Sequence, residues 1–358
     1  MKKVFFTPGP SQLYPSVPSH IKTALDEHIA EISHRGESFK QIFANSTNNL
    51  KKLLSIPQDY SIFFTGSATE AMERVIENCV ETSSYHFVNG AFSKRFYSIA
   101  VELKKKPIKN EVEPGKGFDF KNIEIPDEAE LICFTHNESA TGVMLPEEEI
   151  ASFKKRYPDK LIAVDVVSSI PYVNLDYTLM DFVFFSVQKG FGLPAGMGVM
   201  IVSPKALEKA AYLQKKGLNI GSYHNFISLK IFADKNVTPE TPPVLLMYLF
   251  EKVTEEMTKL GIHTIRKQTE VKAKLLYDYL DSFNPSAAFI TEKKFRSQTI
   301  IVCQFGEHIE KIKKEAKEKG MIVGTGYDPY KLTQIRIANL PAHSLEEIKM
   351  LLEILKRA

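Results

Sequence analysis

Tryptophan is absent from this chain, cysteine is scarce, and no apolar run is long enough to suggest a membrane span. Cys79, Cys133 and Cys303 lack the spacing of metal ligands, and three cysteines cannot all pair. The sequence therefore predicts no metal site and a reducing, cytoplasmic environment. The first apolar stretch is too short for a signal peptide, so we expect no association with a membrane.

Charge is balanced as well as abundant. The formal net charge is +3 at pH 7, and lysines alternate with acids instead of forming a sustained basic surface. This pattern argues against nucleic acid as a partner. With 358 residues, of which 44% are hydrophobic, the chain has the length and composition of about two soluble domains.

Helix and strand patterns alternate from residue 18 to residue 250, which predicts an α/β domain with a mainly parallel sheet between helices. A smaller α+β domain is expected over 251–358, joined by an N-terminal arm at 1–17. Helices are predicted at 18–32, 38–54, 70–80, 244–279, 308–319 and 344–357. Strands are predicted at 61–64, 85–88, 131–135, 161–165, 181–187, 198–202, 299–303 and 334–338.

One lysine stands at the end of a strongly apolar strand pattern. Residues 181–187, Asp-Phe-Val-Phe-Phe-Ser-Val, predict a buried parallel strand that leads to Gln188 and Lys189, before a loop with Gly190 and Pro194. Partial burial lowers the pKa of a lysine, so a neutral amine becomes available to attack an aldehyde. The pattern predicts a Schiff-base role for Lys189; a lysine that merely extends from the strand to solvent is the alternative.

A single acid ends another apolar strand pattern. Residues 161–165, Leu-Ile-Ala-Val-Asp, place Asp165 where a carboxylate is rarely buried without a partner. In pyridoxal phosphate chemistry a carboxylate keeps the ring nitrogen protonated, so that the ring accepts electrons from a carbanion. The alternative is an aspartate that caps the next turn through Ser168 and Ser169.

An anion site is suggested between a predicted strand and a predicted helix. Residues 66–69, Gly-Ser-Ala-Thr, offer backbone N–H groups and two hydroxyls at a helix N-terminus. Small residues are also common helix caps, so the segment alone is weak support. It lacks the G-x-G-x-x-G pattern and a Walker lysine, which argues against nicotinamide cofactors and nucleoside triphosphates.

Eight short segments, in the same order along the chain, resemble class V aminotransferases of fold type I. They are 7–10 (Thr-Pro-Gly-Pro), 32–36 (Ile-Ser-His-Arg-Gly), 65–70 (Thr-Gly-Ser-Ala-Thr-Glu), 137–142 (Asn-Glu-Ser-Ala-Thr-Gly), 165–169 (Asp-Val-Val-Ser-Ser), 188–189 (Gln-Lys), 241–243 (Thr-Pro-Pro) and 335–337 (Ile-Arg-Ile). The resemblance spans nearly the whole chain. It implies a homodimeric enzyme that depends on pyridoxal 5'-phosphate.

The resemblance also implies roles for individual residues. Lys189 would form the imine with the cofactor and move a proton, and Asp165 would pair with its ring nitrogen. Ser139 would contact the ring oxygen. The remaining cofactor residues would be phosphate contacts, with Thr241 supplied by the neighbouring subunit: Ala68, Thr69, Gln188 and Thr241.

Two positions depart from the phosphoserine branch of the family. Phe92 stands at the ring-stacking position in place of the usual tryptophan, which gives less contact area and no N–H donor. Glu240 stands before Thr241 where that branch commonly has asparagine, and a glutamate would repel a phosphate. Either Glu240 points away, or the match shifts towards Asn236 and Thr238.

The basic residues bear on the substrate. Arg336 lies in a strand pattern whose alternation puts it on the face opposite Ile335 and Ile337, and a bidentate arginine suits the α-carboxylate of an amino acid; a surface arginine is the alternative. His34 and Arg35 resemble the anion-binding pair of the phosphoserine branch. Arg35 could instead pair with Glu31 or Glu37.

A second His-Arg pair of that branch is missing, because residues 327–331 read Tyr-Asp-Pro-Tyr-Lys and offer only Lys331 as a cation. The first expectation is still transfer between phosphoserine and 2-oxoglutarate, giving 3-phosphohydroxypyruvate and glutamate in serine biosynthesis. Serine–pyruvate or alanine–glyoxylate exchange is the alternative.

A cysteine desulfurase would need a mobile thiol, whereas Cys303 ends an apolar run. A catalytically silent, cofactor-binding protein is the other class, and the presence of both Lys189 and Asp165 argues against it.

Overall fold

The computed structural model describes residues 3–284 and 286–357. A seven-stranded sheet and a four-stranded sheet organise these residues, and a two-stranded ribbon lies in sequence between two strands of the larger sheet. The α/β class, with a mainly parallel sheet between helices and a smaller α+β part, is confirmed.

The helices occupy both halves of the chain. In order, they are α1 (Val17–Asp26), α2 (Glu37–Leu54), α3 (Ala68–Cys79), α4 (Ala91–Glu102), α5 (Glu147–Arg156), α6 (Pro204–Lys215), α7 (Phe226–Ala233), α8 (Val244–Leu260), α9 (Ile262–Phe283), α10 (Ile309–Glu318) and α11 (Leu345–Leu355). Among these described helices, none combines the length and apolar character needed to cross a bilayer.

The strands follow the expected short, apolar pattern. They are β1 (Val4–Phe6), β2 (Ser61–Thr65), β3 (Ser83–Val88), β4 (Ile108–Glu111), β5 (Ala129–Thr135), β6 (Asn137–Glu138), β7 (Val143–Met144), β8 (Leu161–Asp165), β9 (Phe182–Ser186), β10 (Gly198–Val202), β11 (Ile300–Gln304), β12 (Met321–Thr325) and β13 (Gln334–Ala338). The large sheet has the order β2-β10-β9-β8-β5-β3-β4, and the small sheet β1-β12-β13-β11.

Strand direction in the large sheet follows from the connections. Strands β4, β3, β5, β8 and β9 pair in parallel, whereas β10 is antiparallel to both of its neighbours, β9 and β2. The chain returns from β9 to β10 through loop 187–197 without a crossover helix, so the two strands must run in opposite directions. The carboxyl ends of β5, β8 and β9 consequently meet at one edge.

Helices cover both faces of the large sheet. Phe182 and Phe184 pack with α3, α4, α6 and α7, while Val183 and Phe185 pack on the other face with α2 and α8. Successive side chains of a strand point to opposite faces, so a strand covered on both sides must be apolar at every position. This double cover explains the unbroken apolar run before Lys189.

Two predicted helices were too long. The helix predicted at 18–32 ends at Asp26, because His28 takes a left-handed backbone conformation with φ of 57° and a short 3₁₀ turn, Ile29–Glu31, follows. The helix predicted at 244–279 is interrupted at Gly261, whose φ of 84° separates α8 from α9. Strands β1, β4, β6, β7 and β12 and helices α4 to α7 were not predicted.

The small sheet has a core of its own, in which Val4 and Phe6 pack with α9, α10 and α11. Strand β1 pairs in parallel with β12, with Val4 opposite Met321. Helix α8 continues through residue 251 and packs against α2. We retain the division into 1–17, 18–250 and 251–358 as a proposal.

Candidate active site

A cavity of about 310 Å³ opens where β5, β8 and β9 end and where the small sheet approaches the large one. Its walls come from the N-terminal arm, both sheets and the first turns of α3 and α4. Its lining residues are Pro8, Gly9, Ala68, Thr69, Met72, Phe92, Asn137, Ser139, Asp165, Val167, Ser168, Ser186, Gln188, Lys189, Tyr327 and Arg336.

Lys189 lies inside this cavity, three residues beyond β9, and is only 7% exposed. Its Nζ donates to the hydroxyl of Ser139 at 3.4 Å and lies 5.2 Å from the centroid of the Phe92 ring. Burial lowers the pKa of Lys189, an effect that the negative charges of Asp165 and Glu138 oppose but do not cancel. The neutral amine is therefore easier to reach than for an ordinary lysine.

Asp165 ends β8, the parallel neighbour of β9, and is 4% exposed. Its Oδ1 accepts a hydrogen bond of 2.8 Å from the backbone N–H of Val167. The hydroxyl of Ser168 bonds to the Asn137 carbonyl and that of Ser169 to the His136 ring. Asp165 therefore does not cap the next turn through these two serines. Burial raises the pKa of Asp165, and neither the N–H of Val167 nor the charge of Lys189 cancels that effect.

Phe92 is held by a buried glutamate that the sequence patterns did not single out. Glu138 is fully buried, and its Oε2 accepts hydrogen bonds of 3.0 Å from the backbone N–H groups of Phe92 and Ser93. Its Oε1 accepts another from Ala140 at 3.0 Å. A Cβ at Gly90 would clash with Glu138, which explains the glycine before α4. Glu138 thus fixes the start of α4 beside the strand that carries Ser139.

The predicted anion cradle is partly occupied by the protein's own groups. The backbone N–H of Ala68 donates to the hydroxyl of Ser186 at 2.9 Å, and the Gly66 N–H donates to Glu70 at 2.8 Å. Thr69 is exposed at the first turn of α3 and keeps its N–H and hydroxyl for a ligand. The Oε1 atom of Gln188 is buried without a hydrogen-bond partner among the described residues.

Arg336 reaches the cavity from β13 of the small sheet. Its Nε donates to the carbonyl of Thr325 at 2.7 Å and its Nη1 to the carbonyl of Ser139 at 3.0 Å. The guanidinium also lies 5.3 Å from the centroid of the Tyr327 ring. Ile335 and Ile337 on the opposite face are fully buried, as the alternation predicted. The remaining N–H groups of Arg336 are available to a carboxylate.

Within a single chain, four of the predicted site residues lie outside this cavity. His34 packs its ring 6.4 Å from that of Phe39, and Lys331 is exposed and paired with Asp328 at 2.8 Å. Thr241 lines a different cavity, of about 490 Å³, whose walls are mostly apolar and include Ile32 and residues 194–196. Arg35 is exposed and lines neither cavity.

The alternative ion pairs for Arg35 are not formed. Glu31 lies 3.3 Å from His28, and Glu37 lies 3.2 Å from Lys40. Arg35 therefore has no ion pair among the described residues, and its guanidinium is open to a ligand.

Several lining residues were missed as site residues although they fall in the family-like segments. Gly9 lies against the lysine, since a Cβ there would be 2.7 Å from Lys189 Cε. Asn137 precedes the buried Glu138 and donates to the hydroxyl of Ser168 at 2.8 Å. Met72 lies in a helix and Tyr327 in a loop, and nothing in the sequence around either residue indicates that it lines the cavity.

Comparisons with known proteins agree with this geometry. A family model described as "Aminotransferase class-V" matches residues 3–336. The crystal structure of a phosphoserine aminotransferase from Cytophaga hutchinsonii is 47% identical, with a TM-score of 0.97, over 99% of this chain and 98% of that one. A phosphoserine aminotransferase of Rhodococcus opacus (strain B4) is 26% identical over 96% of this chain and 91% of its own.

A more distant structure shares the fold alone. The alanine–glyoxylate aminotransferase of Nostoc sp. is 20% identical, with a TM-score of 0.84, over 100% of this chain and 95% of that one.

Proposed function

Because this chain belongs to the class V aminotransferases, we propose that it transfers the amino group of phosphoserine to 2-oxoglutarate with pyridoxal 5'-phosphate as cofactor. The products are 3-phosphohydroxypyruvate and glutamate; transamination is reversible, and in the opposite direction the reaction supplies phosphoserine for serine biosynthesis. The observation that carries transamination is the meeting of buried Lys189, buried Asp165 and Arg336 in one cavity.

The residues present fit the cofactor. Asp165 is a buried carboxylate with one oxygen unused, and Gln188 has a buried oxygen without a partner. Buried polar atoms normally find partners, so both groups are suited to a ligand in the cavity. A protonated ring nitrogen would satisfy Asp165, Phe92 would cover the ring, and Ser139 would contact the ring oxygen. Thr69 and the start of α3 would hold the phosphate.

When bound, pyridoxal phosphate supplies an aldehyde carbon and an electron-accepting ring. Lys189 would hold the cofactor through Nζ, and once an amino acid displaced it, the same atom would take the proton from the substrate's α-carbon and pass it to the former aldehyde carbon of the cofactor. The lowered pKa suits both roles, since an ammonium group can neither attack a carbonyl nor accept a proton. Arg336 holds the α-carboxylate with its free N–H groups.

The choice of phosphoserine is supported by the similarity to the Cytophaga hutchinsonii enzyme. In a single chain, Lys189 and Arg336 are the cations among the cavity's described lining residues. A phosphate dianion needs more, and we propose that His34 and Arg35 of a second copy supply them. If they do not, serine–pyruvate or alanine–glyoxylate exchange becomes the better assignment.

A homodimer follows from the same reasoning. The cavity that contains Thr241 is mostly apolar. Two of its lining residues, Ala30 and Ile32, shortly precede His34 and Arg35 in the sequence. We propose that a second copy packs there and receives Thr241 at its cofactor phosphate.

Two other functions fit less well. Cys303 is fully buried and burial raises the pKa of its thiol, so it cannot act as the mobile nucleophile of a desulfurase. All three cysteines are free and buried, which suits a reducing cytoplasm. A silent cofactor-binding protein would have no need of Lys189 beside Asp165.

A half-reaction screen tests the assignment directly. Each candidate amino acid is mixed with the cofactor-loaded protein, and conversion to the pyridoxamine form is followed by absorbance. Phosphoserine should react faster than serine or alanine, which lack the phosphate, and glutamate should also react because it is the amino donor of the reverse direction. Faster conversion by alanine or serine would favour the alternative, and no conversion by any donor would favour the silent protein.

A further inference from the structure

A cluster of three charged side chains connects the anion cradle to the segment that carries Thr241. The imidazole of His224 lies between Glu70 and Glu240: Nδ1 contacts Oε1 of Glu70, and Nε2 lies 2.9 Å from Oε2 of Glu240. The His224 side chain is only 4% exposed. Glu240 is thus a paired acid, and its partner, His224, is a residue that the sequence patterns did not select.

The first half of the cluster is built on α3. Glu70 lies in the first turn of this helix and accepts the Gly66 N–H at 2.8 Å. Asn78, farther along α3 and fully buried, accepts from the Phe226 N–H at 2.9 Å and donates to the Ile220 carbonyl at 3.1 Å. The segment that carries His224 is therefore fixed to the same helix whose N-terminus forms the cradle.

The second half is the loop before α8. The buried hydroxyl of Thr238 donates to the backbone carbonyl of Glu240 at 2.7 Å, which braces the residue before Thr241. The ion pair with His224 then attaches this loop to α3. Among the described contacts, the His224–Glu240 pair is the one ion pair that Glu240 makes.

Charge explains why a histidine suits this place. Burial disfavours the imidazolium, but the interactions with Glu240 and Glu70 outweigh that effect and raise the pKa of His224 to about 9. The Tyr223 ring also packs on it, with centroids 4.0 Å apart. Arg74 of α3 faces Glu70 as well, and lowers the pKa of that carboxyl together with His224.

Arg74 is not a free cation that could replace His224. It is paired with Glu73 and lies 2.8 Å from Glu77. Without a charged His224, the two carboxylates of Glu70 and Glu240 would stand close to an anion site with too little positive charge to offset them.

We propose that His224 is a positioning residue for bound cofactor phosphate: its positive charge offsets Glu70 beside the cradle of its own chain and Glu240, and it holds against α3 the loop whose Thr241 would contact the phosphate of the second copy. This rests on the proposed function, since the anion is the phosphate of the cofactor that the active site would bind. It also accounts for Glu240 at a position where the resemblance led us to expect asparagine.

The test compares wild type, His224→Gln and the double variant His224→Gln/Glu240→Gln, with pyridoxal phosphate as the ligand. At pH 7 the single variant should bind the cofactor on the order of tenfold more weakly, because an uncompensated carboxylate is left near the phosphate. The double variant should recover most of that loss. The ratio of the affinity of His224→Gln to that of the wild type should approach one near pH 10, where His224 of the wild type is mostly neutral.

A second readout needs no cofactor. The folded-state pKa of His224 is raised from 6.5 to about 9, so its stabilising effect is complete below pH 6.5 and is lost as the pH rises through 9. Urea unfolding of the cofactor-free protein should therefore show a wild-type advantage over His224→Gln near pH 6 that disappears near pH 10. His20→Gln, which removes a His–Glu pair with Glu256 at 2.7 Å, is the matched control and should leave cofactor affinity unchanged.

Equal cofactor affinity of wild type and His224→Gln at pH 7 would overturn the proposal. So would a double variant as weak as the single one, because charge compensation would then not be the cause. A wild type that binds no cofactor would contradict the proposed function as well, whereas tight binding by wild type with unchanged binding by the variant contradicts only the role of His224.

Discussion

The guanidinium of Arg336 donates a hydrogen bond of 3.0 Å to the backbone carbonyl of Ser139, so a strand of the small sheet touches the residue that also contacts Lys189. The residue proposed to bind the substrate carboxylate is thus positioned by the same segment that contacts the lysine. Movement of the small sheet relative to the large one would break the contact between Arg336 and Ser139.

Lys189→Ala should abolish transamination, because the variant loses both the amine that holds the cofactor and the base that moves the α-proton. Borohydride treatment of cofactor-loaded wild type, followed by peptide mapping, should show the cofactor attached to Lys189. Lys272, another buried lysine, offers a control because it donates to the carbonyls of Leu340 and His343, away from the cavity. Labelling of any lysine other than Lys189 would contradict the assignment.

Asp165→Asn should still bind cofactor but lower kcat by roughly 10²–10³-fold, the usual cost of removing one electrostatic contact to the reacting group. The amide cannot hold a positive charge on the ring nitrogen as a carboxylate does. Stopped-flow absorbance of the half-reaction measures the step directly. An unchanged rate of α-proton removal would exclude Asp165 from this role.

Arg35 and Arg336 should separate two kinds of binding. A charge-assisted hydrogen bond contributes roughly 1.5–3 kcal/mol, so Arg35→Ala should lower kcat/KM for phosphoserine by about 10- to 100-fold and leave alanine nearly unaffected. Arg336→Ala should lower kcat/KM for both donors, because both carry the α-carboxylate. Equal losses for both donors in Arg35→Ala would mean a structural role and would favour alanine–glyoxylate or serine–pyruvate exchange.

Dissociation of the proposed dimer should weaken cofactor binding, since Thr241 would come from the second copy. Sedimentation at assay concentration, combined with cofactor titration over a dilution series, measures both quantities together. A fully active monomer would contradict the proposal.

Glu138→Gln should destabilise the protein by about 1–3 kcal/mol, the cost of leaving a buried polar group unsatisfied. Both carboxylate oxygens accept backbone N–H groups, those of Phe92 and Ser93 on one side and Ala140 on the other. The glutamine amide has one oxygen that can accept these hydrogen bonds, and its NH₂ group would face the backbone N–H groups on the other side. Urea unfolding provides the measurement, and Glu102→Gln at the exposed end of α4 is the control. Equal stability of the two variants would show that the clamp is dispensable.

Much of the fold was readable from local patterns. Strands β8, β10 and β13 have the predicted bounds, and β9 differs by one residue at each end. Cover on both faces gives β8, β9 and β10 a nearly continuous apolar run, whereas β13 shows side-chain alternation. The errors fall where local pattern is silent. The helical periodicity of residues 18–32 gave no warning of the left-handed backbone at His28, and β1 and β12 are too short or too mixed to stand out until they pair.

The sequence alone determined that Asp165 ends one apolar strand and Lys189 follows another, and therefore that both would come to one edge of a parallel sheet. Only the tertiary structure decided that Arg336 meets Ser139, that Gly9 lies against Lys189, and that Glu240 pairs with His224. The physical reason is the separation of the contacting residues along the chain. Strand burial and side-chain alternation are properties of neighbouring residues, whereas contacts between distant segments depend on how the two sheets pack. No single segment encodes that packing.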